Sequence, residues 1–197
     1  MTLTSSPCSA RVCLSAEGST NVTAYFPAGV WYNWYTGTTL SSMKAQALTI
    51  NALLSFVSII VTLVPIHVRS GVVLPAQCPA MTTYETNRSN YFLIVAFDAN
   101  QFANGHLYAD DGVSIRGTST SVQFTANAHG ISGRAARYPY HISQKLEKVR
   151  VWGLNAQKVP IHVKKVVKNA QISFNSTTGI LVVKGLSIDI NRPFQIS

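Results

Sequence analysis

The chain has 197 residues, of which 47% are hydrophobic and only 12% are charged. A hydrophobic fraction this high excludes a disordered chain, and the length allows one large β domain or two small ones. Val, Ile, Thr, Ser and aromatic residues are abundant where a helical protein would carry Glu, Lys and Ala. The composition therefore predicts an all-β fold.

The net charge of +9 comes from the last third of the chain, because eleven of the 16 Lys and Arg residues follow residue 133. In residues 148–151, basic and aliphatic side chains alternate, which predicts the outer face of a half-buried strand. Nucleic-acid binding would need exposed aromatic rings among these basic residues, and Trp152 is the one candidate. The pattern favours a solvated sheet face and predicts no nucleic-acid partner.

Three cysteines, Cys8, Cys13 and Cys78, leave at least one thiol unpaired, and a bridge between the first two would be short and local. Their spacing to each other and to histidines fits no metal site, so we predict neither a metal nor a cofactor. Three Asn-x-Ser/Thr sequons are possible glycosylation sites: Asn21, Asn87 and Asn175. No signal peptide is visible in the first sixteen residues.

Strand-like runs follow one another between Gly, Pro and Asn residues. Residues 91–97 are almost continuously apolar, as expected for a strand buried on both faces. The Asp-Asp-Gly stretch at 110–112 predicts a turn that joins residues 105–109 to residues 113–115. The other predicted strands are residues 21–26, 65–74, 122–126, 148–152, 159–163, 171–174, 180–183 and 187–190, and no clearly capped helix emerges.

This spacing of strands and turns predicts two tandem antiparallel β-sandwiches. Their expected extents are residues 1–82 and 83–197, with a hinge at residues 75–80. Residues 45–64 carry no charge over twenty positions, which is close to the length of a membrane helix. Their Ser, Thr, Asn, Val and Ile content suits strands as well, so a membrane-tethered β domain is an alternative hypothesis.

Residues 25–37 contain six aromatic rings in thirteen positions. Alternation along a strand would place Tyr32 and Trp34 on one face and Trp31 and Tyr35 on the other. One face would fill a sandwich core, and the other would pack on a neighbouring domain or stack on a sugar. These four residues are the candidate packing or sugar-binding residues.

No catalytic residue is predicted. Asp110 and Asp111 are the one close carboxylate pair, but adjacent residues point their side chains apart, so we interpret them as turn residues, with a surface cation site as the alternative. The five histidines are scattered, and no nucleophile motif such as Gly-x-Ser-x-Gly accompanies them.

Three stretches, NVTAYFPAGVWYNWYTG, VTLVPIHVRSGVVLPAQ and GHLYADDGVSI, carry a resemblance in their order and spacing. They resemble successive landmarks in the C-terminal region of family-31 glycoside hydrolases, the α-glucosidase and α-xylosidase family, in its plant-like branch. The resemblance covers nearly the whole chain apart from residues 1–16 and about 43–60.

The resemblance implies a proximal and a distal β-sandwich that follow a catalytic (β/α)₈ barrel, which holds the family's two catalytic aspartates. We therefore expect a non-catalytic C-terminal fragment without that barrel, with the missing barrel as its intramolecular partner and carbohydrate as the partner of the parent enzyme. The parent would be secreted or located in the cell wall, lysosome or vacuole. A stand-alone carbohydrate-binding module is the alternative function.

Residues 43–60 depart from the family pattern, since relatives have a short connection where this chain has an uncharged segment. We interpret these residues as an anomalous insertion, such as translated intron, in a gene model that begins downstream of the barrel. Sequencing of the spliced transcript tests this hypothesis, which an in-frame copy of residues 43–60 would refute.

Overall fold

The structure is a computed structural model that describes residues 9–11, 21–42, 44–51, 66–137, 140–155 and 170–196. These ranges contain fifteen strands and one helix of six residues, which confirms the predicted all-β class. The chain divides into two compact units, Met1–Ser70 and Gly71–Ser197. This division lies before the predicted boundary between residues 82 and 83.

The first unit contains two antiparallel sheets. Its strands are β1 (Ser9–Arg11), β2 (Asn21–Phe26), β3 (Gly29–Asn33), β4 (Thr39–Ser42), β5 (Gln46–Asn51) and β6 (Ile66–Arg69). Four of them form a sheet in the order β1-β6-β3-β4, and β2 pairs with β5 in a sheet of two. β2 has the predicted bounds, whereas β1, β4 and β5 were not among the predicted strands.

The core of the first unit lies between these two sheets. Phe26 is fully buried, and its ring forms T-shaped pairs with the rings of Trp31 and His67, at centroid distances of 5.4 Å and 5.1 Å. Leu48 and Ile50 of β5 pack against the same cluster. Residues 46–51 of the expected insertion therefore contribute a core strand.

The start of the uncharged segment is accordingly a strand and not the beginning of a membrane helix, because β5 pairs with β2 along its whole length. Within the described ranges, no helix is long and apolar enough to cross a membrane. The rest of the segment, residues 52–64, lies outside the described residues.

The second unit is built on one sheet of nine strands. They are β7 (Val72–Gln77), β8 (Tyr91–Ala96), β9 (Ala103–Asp110), β10 (Ser119–Asn127), β11 (Gly130–Arg137), β12 (Leu146–Trp152), β13 (Gln171–Asn175), β14 (Ile180–Lys184) and β15 (Phe194–Ile196). Their order is β13-β14-β12-β8-β7-β9-β10-β11-β15. Two pairings, β12 with β8 and β7 with β9, are parallel, so this sheet is mixed.

The sheet curls so that its two halves enclose one core. Val122 and Phe124 of β10 belong to the same buried cluster as Val149 of β12 and Val183 of β14, although three strands separate β10 from β12 in the sheet. β8 lies in the middle of the sheet, with four consecutive buried residues, as its apolar sequence predicts.

The single strand expected at residues 65–74 is divided between β6 and β7, because Gly71 turns the chain with a φ of +82°, and residue 65 lies outside the described residues. The predicted hinge at 75–80 also needs correction, since its first three residues continue β7 and pair with β8. Pro75 fits there because β7 pairs with β9 at Val72 alone, which leaves the later residues on an open strand edge.

One helix, α1 (Thr83–Arg88), was not predicted. Thr82 caps it, because the Thr82 hydroxyl accepts a hydrogen bond from the backbone N–H of Glu85 at 3.2 Å. The Thr-x-x-Glu spacing is the signal that predicts such a helix start.

Two other predicted strands need correction. The partner of β9 in its hairpin is β10 and not residues 113–115, because a longer loop follows Asp110. In residues 187–190, Ile188 makes a single bridge to Leu146 instead of a strand. The predicted strand at 159–163 lies outside the described residues.

Candidate functional site

The aromatic segment is divided between core and surface. Trp31 is 1% exposed, and its indole N–H donates to the Pro27 carbonyl at 3.0 Å. Tyr32 is 3% exposed. Trp31 belongs to the core cluster of the first unit, and Tyr32 is buried as well, so neither ring offers an open face to a sugar.

Trp34 and Tyr35 lie beyond the end of β3, in a turn. The Asn33 side chain makes this turn, because its Oδ1 accepts from the backbone N–H groups of Tyr35 and Thr36 at 2.9 Å and 3.0 Å. Strand alternation thus stops at Asn33. Trp34 is half-buried and Tyr35 is 42% exposed, so sugar stacking or domain packing by these two rings stays a prediction.

Asp110 and Asp111 build the loop after β9, as the turn interpretation expects. Asp110 Oδ1 accepts from the Gly112 N–H at 2.9 Å, and Gly112 has a φ of +69°. Asp111 Oδ1 accepts from the N–H groups of Val113 and Ser114, while its Oδ2 accepts from the Ser114 hydroxyl at 2.6 Å. The Ser114 hydrogen bonds hold the pKa of Asp111 below its ordinary value.

Asp110 and Asp111 are arranged as hydrogen-bond acceptors of a turn and not as a catalytic pair. Retaining glycoside hydrolysis needs two carboxyl groups that face each other roughly 5 Å apart across the scissile bond. Both oxygens of Asp111 are engaged within its own loop. In the described part of the chain, no group of three or more His, Cys, Asp or Glu side chains could hold a metal ion.

The histidine of the first unit is a core residue. His67 is 5% exposed beside the edge of Phe26, and burial lowers its pKa. A neutral imidazole inside an apolar cluster packs as a ring, so this histidine is structural.

The three sequons lie in different settings. Asn87 is exposed near the end of α1, and its backbone carbonyl accepts from the side-chain amides of Gln77 and Gln144. Asn175 is exposed at the end of β13, and its Oδ1 accepts from the N–H groups of Thr177 and Thr178. Asn21 begins β2. Glycosylation at these three residues stays a prediction.

The basic strand has the predicted alternation. Val149 and Val151 of β12 are buried, whereas Lys148 and Arg150 are half-buried on the other face. Trp152 is 1% exposed, so it cannot stack on a nucleic-acid base. Cys78 is a free, exposed thiol, whereas Cys8 and Cys13, between which a bridge would be short, lie outside the described residues.

A polar groove of about 450 Å³ opens in the second unit where β7 and β9 part. The two strands pair at Val72 and Asn104 and then separate. Gly105 lies against the β7 backbone at the parting point, since a Cβ there would be 1.9 Å from the Val73 carbonyl oxygen. The groove is lined by residues 75–77, Thr86, Asn87, Tyr91, residues 107–112, Tyr140, Ile142 and Gln144.

Sequence reasoning missed this groove. Tyr91 and Tyr140 are distant in sequence, and they meet because β8 and the segment after β11 both pack on the core of the second unit. Burial, and then the proximity of Tyr140, raises the pKa of Tyr91. No local pattern brings these rings together, and the Leu-Tyr-Ala-Asp-Asp-Gly stretch was the one visible signal.

Comparison with known proteins identifies the family. The model of the Glycosyl hydrolase family 31 C-terminal domain matches residues 12–74. The chain is 33% identical to an α-glucosidase from Aspergillus niger over 159 residues, and 30% identical to intestinal sucrase-isomaltase from Rattus norvegicus over 198 residues. This chain corresponds to the C-terminal region of family-31 glycoside hydrolases.

The match covers a small part of each family-31 relative. It includes 80% of this chain but 15% of the Aspergillus niger protein, and 90% of this chain but 10% of the rat protein. The fold agrees, since the crystal structure of a glucosidase II alpha subunit superposes on 95% of this chain with a TM-score of 0.75 at 20% identity, covering 22% of that chain. The family-31 dextranase from Flavobacterium johnsoniae superposes on 90% with a TM-score of 0.64 at 15% identity, covering 24% of it.

Proposed function

We propose that this chain forms the non-catalytic C-terminal β region of an α-glucosidase-like hydrolase, whose parent activity is hydrolysis of O-glycosyl bonds. The observation that carries the proposal is the extent of the similarity. Most of this chain aligns with the Aspergillus niger α-glucosidase, yet the alignment accounts for 15% of that enzyme.

The chemistry of the described residues supports a non-catalytic role. Acid–base and nucleophilic catalysis of glycoside hydrolysis requires two carboxylates directed at one centre. Here the adjacent pair, Asp110 and Asp111, accepts hydrogen bonds from its own loop. The region would instead support a catalytic barrel, and carbohydrate would reach it through the parent enzyme.

The cellular location belongs to the same proposal. A parent that is secreted or located in the cell wall, lysosome or vacuole would pass through the secretory pathway, where exposed sequons such as Asn87 and Asn175 are glycosylated. A glycosidase-sensitive increase in mass of the expressed chain would support this location, and an unmodified chain from the secretory pathway would argue against it.

A domain replacement tests the proposed function. The matching C-terminal region of the Aspergillus niger α-glucosidase is either deleted or replaced by this chain, and maltose hydrolysis is measured. We expect the replacement to retain activity and the deletion to lose it. A replacement that carries Trp31→Ala, which removes a core ring of the first unit, is the matched control and should lose most of the activity. A replacement as inactive as the deletion would contradict the proposal.

A second candidate function is a stand-alone carbohydrate-binding module, which the partly exposed rings of Trp34 and Tyr35 favour. This function predicts that malto-oligosaccharides bind to the chain and that Trp34→Ala or Tyr35→Ala abolishes the binding. Tyr25→Ala is the matched control, because Tyr25 is a 64% exposed ring of the same unit outside the turn. Binding that both turn variants retain would reject this candidate.

A further inference from the structure

The groove between β7 and β9 is a candidate ligand site within the second unit. Its floor and walls come from four parts of the chain: the two parting strands, α1 with the start of β8, and residues 140–144. Gln77 and Gln144 brace one wall, because both side-chain amides donate to the Asn87 carbonyl, at 3.3 Å and 2.6 Å. The groove is therefore shaped by long-range contacts and not by a single loop.

The charge of the groove excludes an anionic ligand. The chain carries a net charge of +9, yet no Lys, Arg or His is among the described residues that line the groove. Two lining residues, Asp110 and Asp111, are acidic. A phosphate, a nucleotide or an acidic peptide would meet carboxylates here without a compensating cation.

A cation is also a poor fit. Asp111 has both carboxylate oxygens engaged by Val113 and Ser114. One carboxylate oxygen of Asp110 accepts a hydrogen bond from the Gly112 N–H, and the other accepts none within the described part of the chain. These two aspartates are the only carboxylates among the described lining residues, and no group of three or more His, Cys, Asp or Glu side chains that could hold a metal ion occurs in the described part of the chain.

The remaining groups match a neutral, polyhydroxylated ligand. Three tyrosines line the groove, and no hydrogen bond made within the described part of the chain uses the hydroxyls of Tyr91, Tyr108 or Tyr140. Tyr108 is 62% exposed on the outer face of β9. Tyrosine rings offer flat apolar faces to the C–H surface of a pyranose, while their hydroxyls, amides and a carboxylate bind sugar hydroxyls.

We propose that this groove binds a neutral oligosaccharide, with the Tyr108 ring as a stacking platform and the Tyr140 hydroxyl as a hydrogen-bonding group. The choice of an α-linked glucose chain as the sugar rests on the proposed function. All residues that line the groove belong to the second unit, whereas Trp34 and Tyr35 belong to the first.

Calorimetric titration of the full chain with maltotriose, isomaltotriose and cellotriose tests the site. We expect the two α-linked sugars to bind, and Tyr108→Ala to weaken binding about tenfold, equivalent to roughly 1.4 kcal/mol. Tyr140→Phe removes one hydroxyl without changing the packed ring and should weaken binding severalfold. Tyr84→Ala is the matched control, since Tyr84 is a 68% exposed ring of the same unit outside the groove.

The results of these titrations distinguish the groove proposal from the proposed function of the chain. Loss of binding in Tyr108→Ala and Tyr140→Phe but not in Tyr84→Ala supports the groove. Binding of cellotriose alone, with the same pattern among the variants, supports the groove but contradicts an α-glucosidase parent. No binding of any sugar, or equal binding by all variants, overturns the groove proposal and leaves the domain replacement to decide the proposed function.

Discussion

Asp111 is a carboxylate that holds a loop, because its two oxygens accept hydrogen bonds from Val113 and Ser114. Hydrogen bonds from Ser114 and Val113 favour the charged form, so the pKa in the folded protein lies below the ordinary value of 3.8. A depressed pKa contributes stability that is present above the ordinary value and is lost as the pH falls through the folded value.

Thermal melting of the wild type and of Asp111→Asn from pH 7 to pH 2 tests this role of Asp111. The wild type should melt higher at pH 7, and the difference in melting temperature should shrink as the pH falls below 3.8 and through the lower pKa of the folded state, where Asp111 becomes neutral. Asp111→Asn keeps the Oδ1 that accepts from Val113 and Ser114, but its amide NH2 cannot accept from the Ser114 hydroxyl, so the comparison measures the loss of the charge together with that hydrogen bond. A difference that grows as the pH falls would contradict this account.

Gly105 is a second residue on which the fold of the second unit depends, because it allows β9 to contact β7 where the groove begins. A methyl group there would lie 1.9 Å from the Val73 carbonyl oxygen, and backbone cannot move aside as a side chain does. Gly105→Ala should lower the free energy of unfolding by about 3 kcal/mol. His106→Ala, an exposed change one residue later, should cost less than about 0.5 kcal/mol in the same denaturant titration. Equal losses of unfolding free energy in the two variants would contradict a close contact between Gly105 and the β7 backbone.

At the scale of elements, a continuous apolar run could be predicted as a strand, whereas a strand defined only by its pairing partner could not. β8 is a run of buried apolar residues in the middle of the sheet, and its sequence has that pattern. β4, with the sequence Thr-Leu-Ser-Ser, lacks such a pattern and is a strand because it pairs with β3. Residues 113–115 look like a strand, yet Val113 and Ile115 are 88% and 101% exposed in the loop.

The candidate sites show a related difference: features made by local contacts could be predicted, and features made by long-range contacts could not. The turn at Asp110 to Gly112 could be predicted, because its hydrogen bonds are local in sequence. The burial of the Trp31 ring could not, since it depends on where the sheet of β2 and β5 packs. The groove could not be predicted either, because residues 75–77 and 107–112 form it only after two distant strands have paired.

β5 provides the test at this scale, because it begins the segment that the sequence marks as anomalous. Ile50 of β5 is half-buried against the cluster of Phe26 and Trp31. Ile50→Ala should lower the free energy of unfolding by about 1–2 kcal/mol, somewhat less than a fully buried site. Gln46→Ala, an exposed change in the same strand, is the control and should be close to neutral. No effect of Ile50→Ala would show that the segment lies outside the core.

At the scale of the molecule, two all-β units follow one another, and both have the fold of the C-terminal region of family-31 enzymes. Asp110 and Asp111 accept hydrogen bonds within their own loop, and His67 is buried in the first unit. The polar groove of the second unit is lined by tyrosines, amides and this one adjacent pair of aspartates. The central claim is that such a chain supports glycoside hydrolysis without performing it.

Turnover by the purified chain alone tests this claim most directly. The measurement is release of p-nitrophenol from p-nitrophenyl α-glucoside by the wild type, Asp110→Asn and Asp111→Asn. The account predicts that none of the three exceeds the buffer background, because Asp110 and Asp111 are adjacent loop residues and no other carboxylate is among the described residues that line their groove. Turnover by the wild type that either substitution abolishes would contradict the account and would identify this turn as an active site.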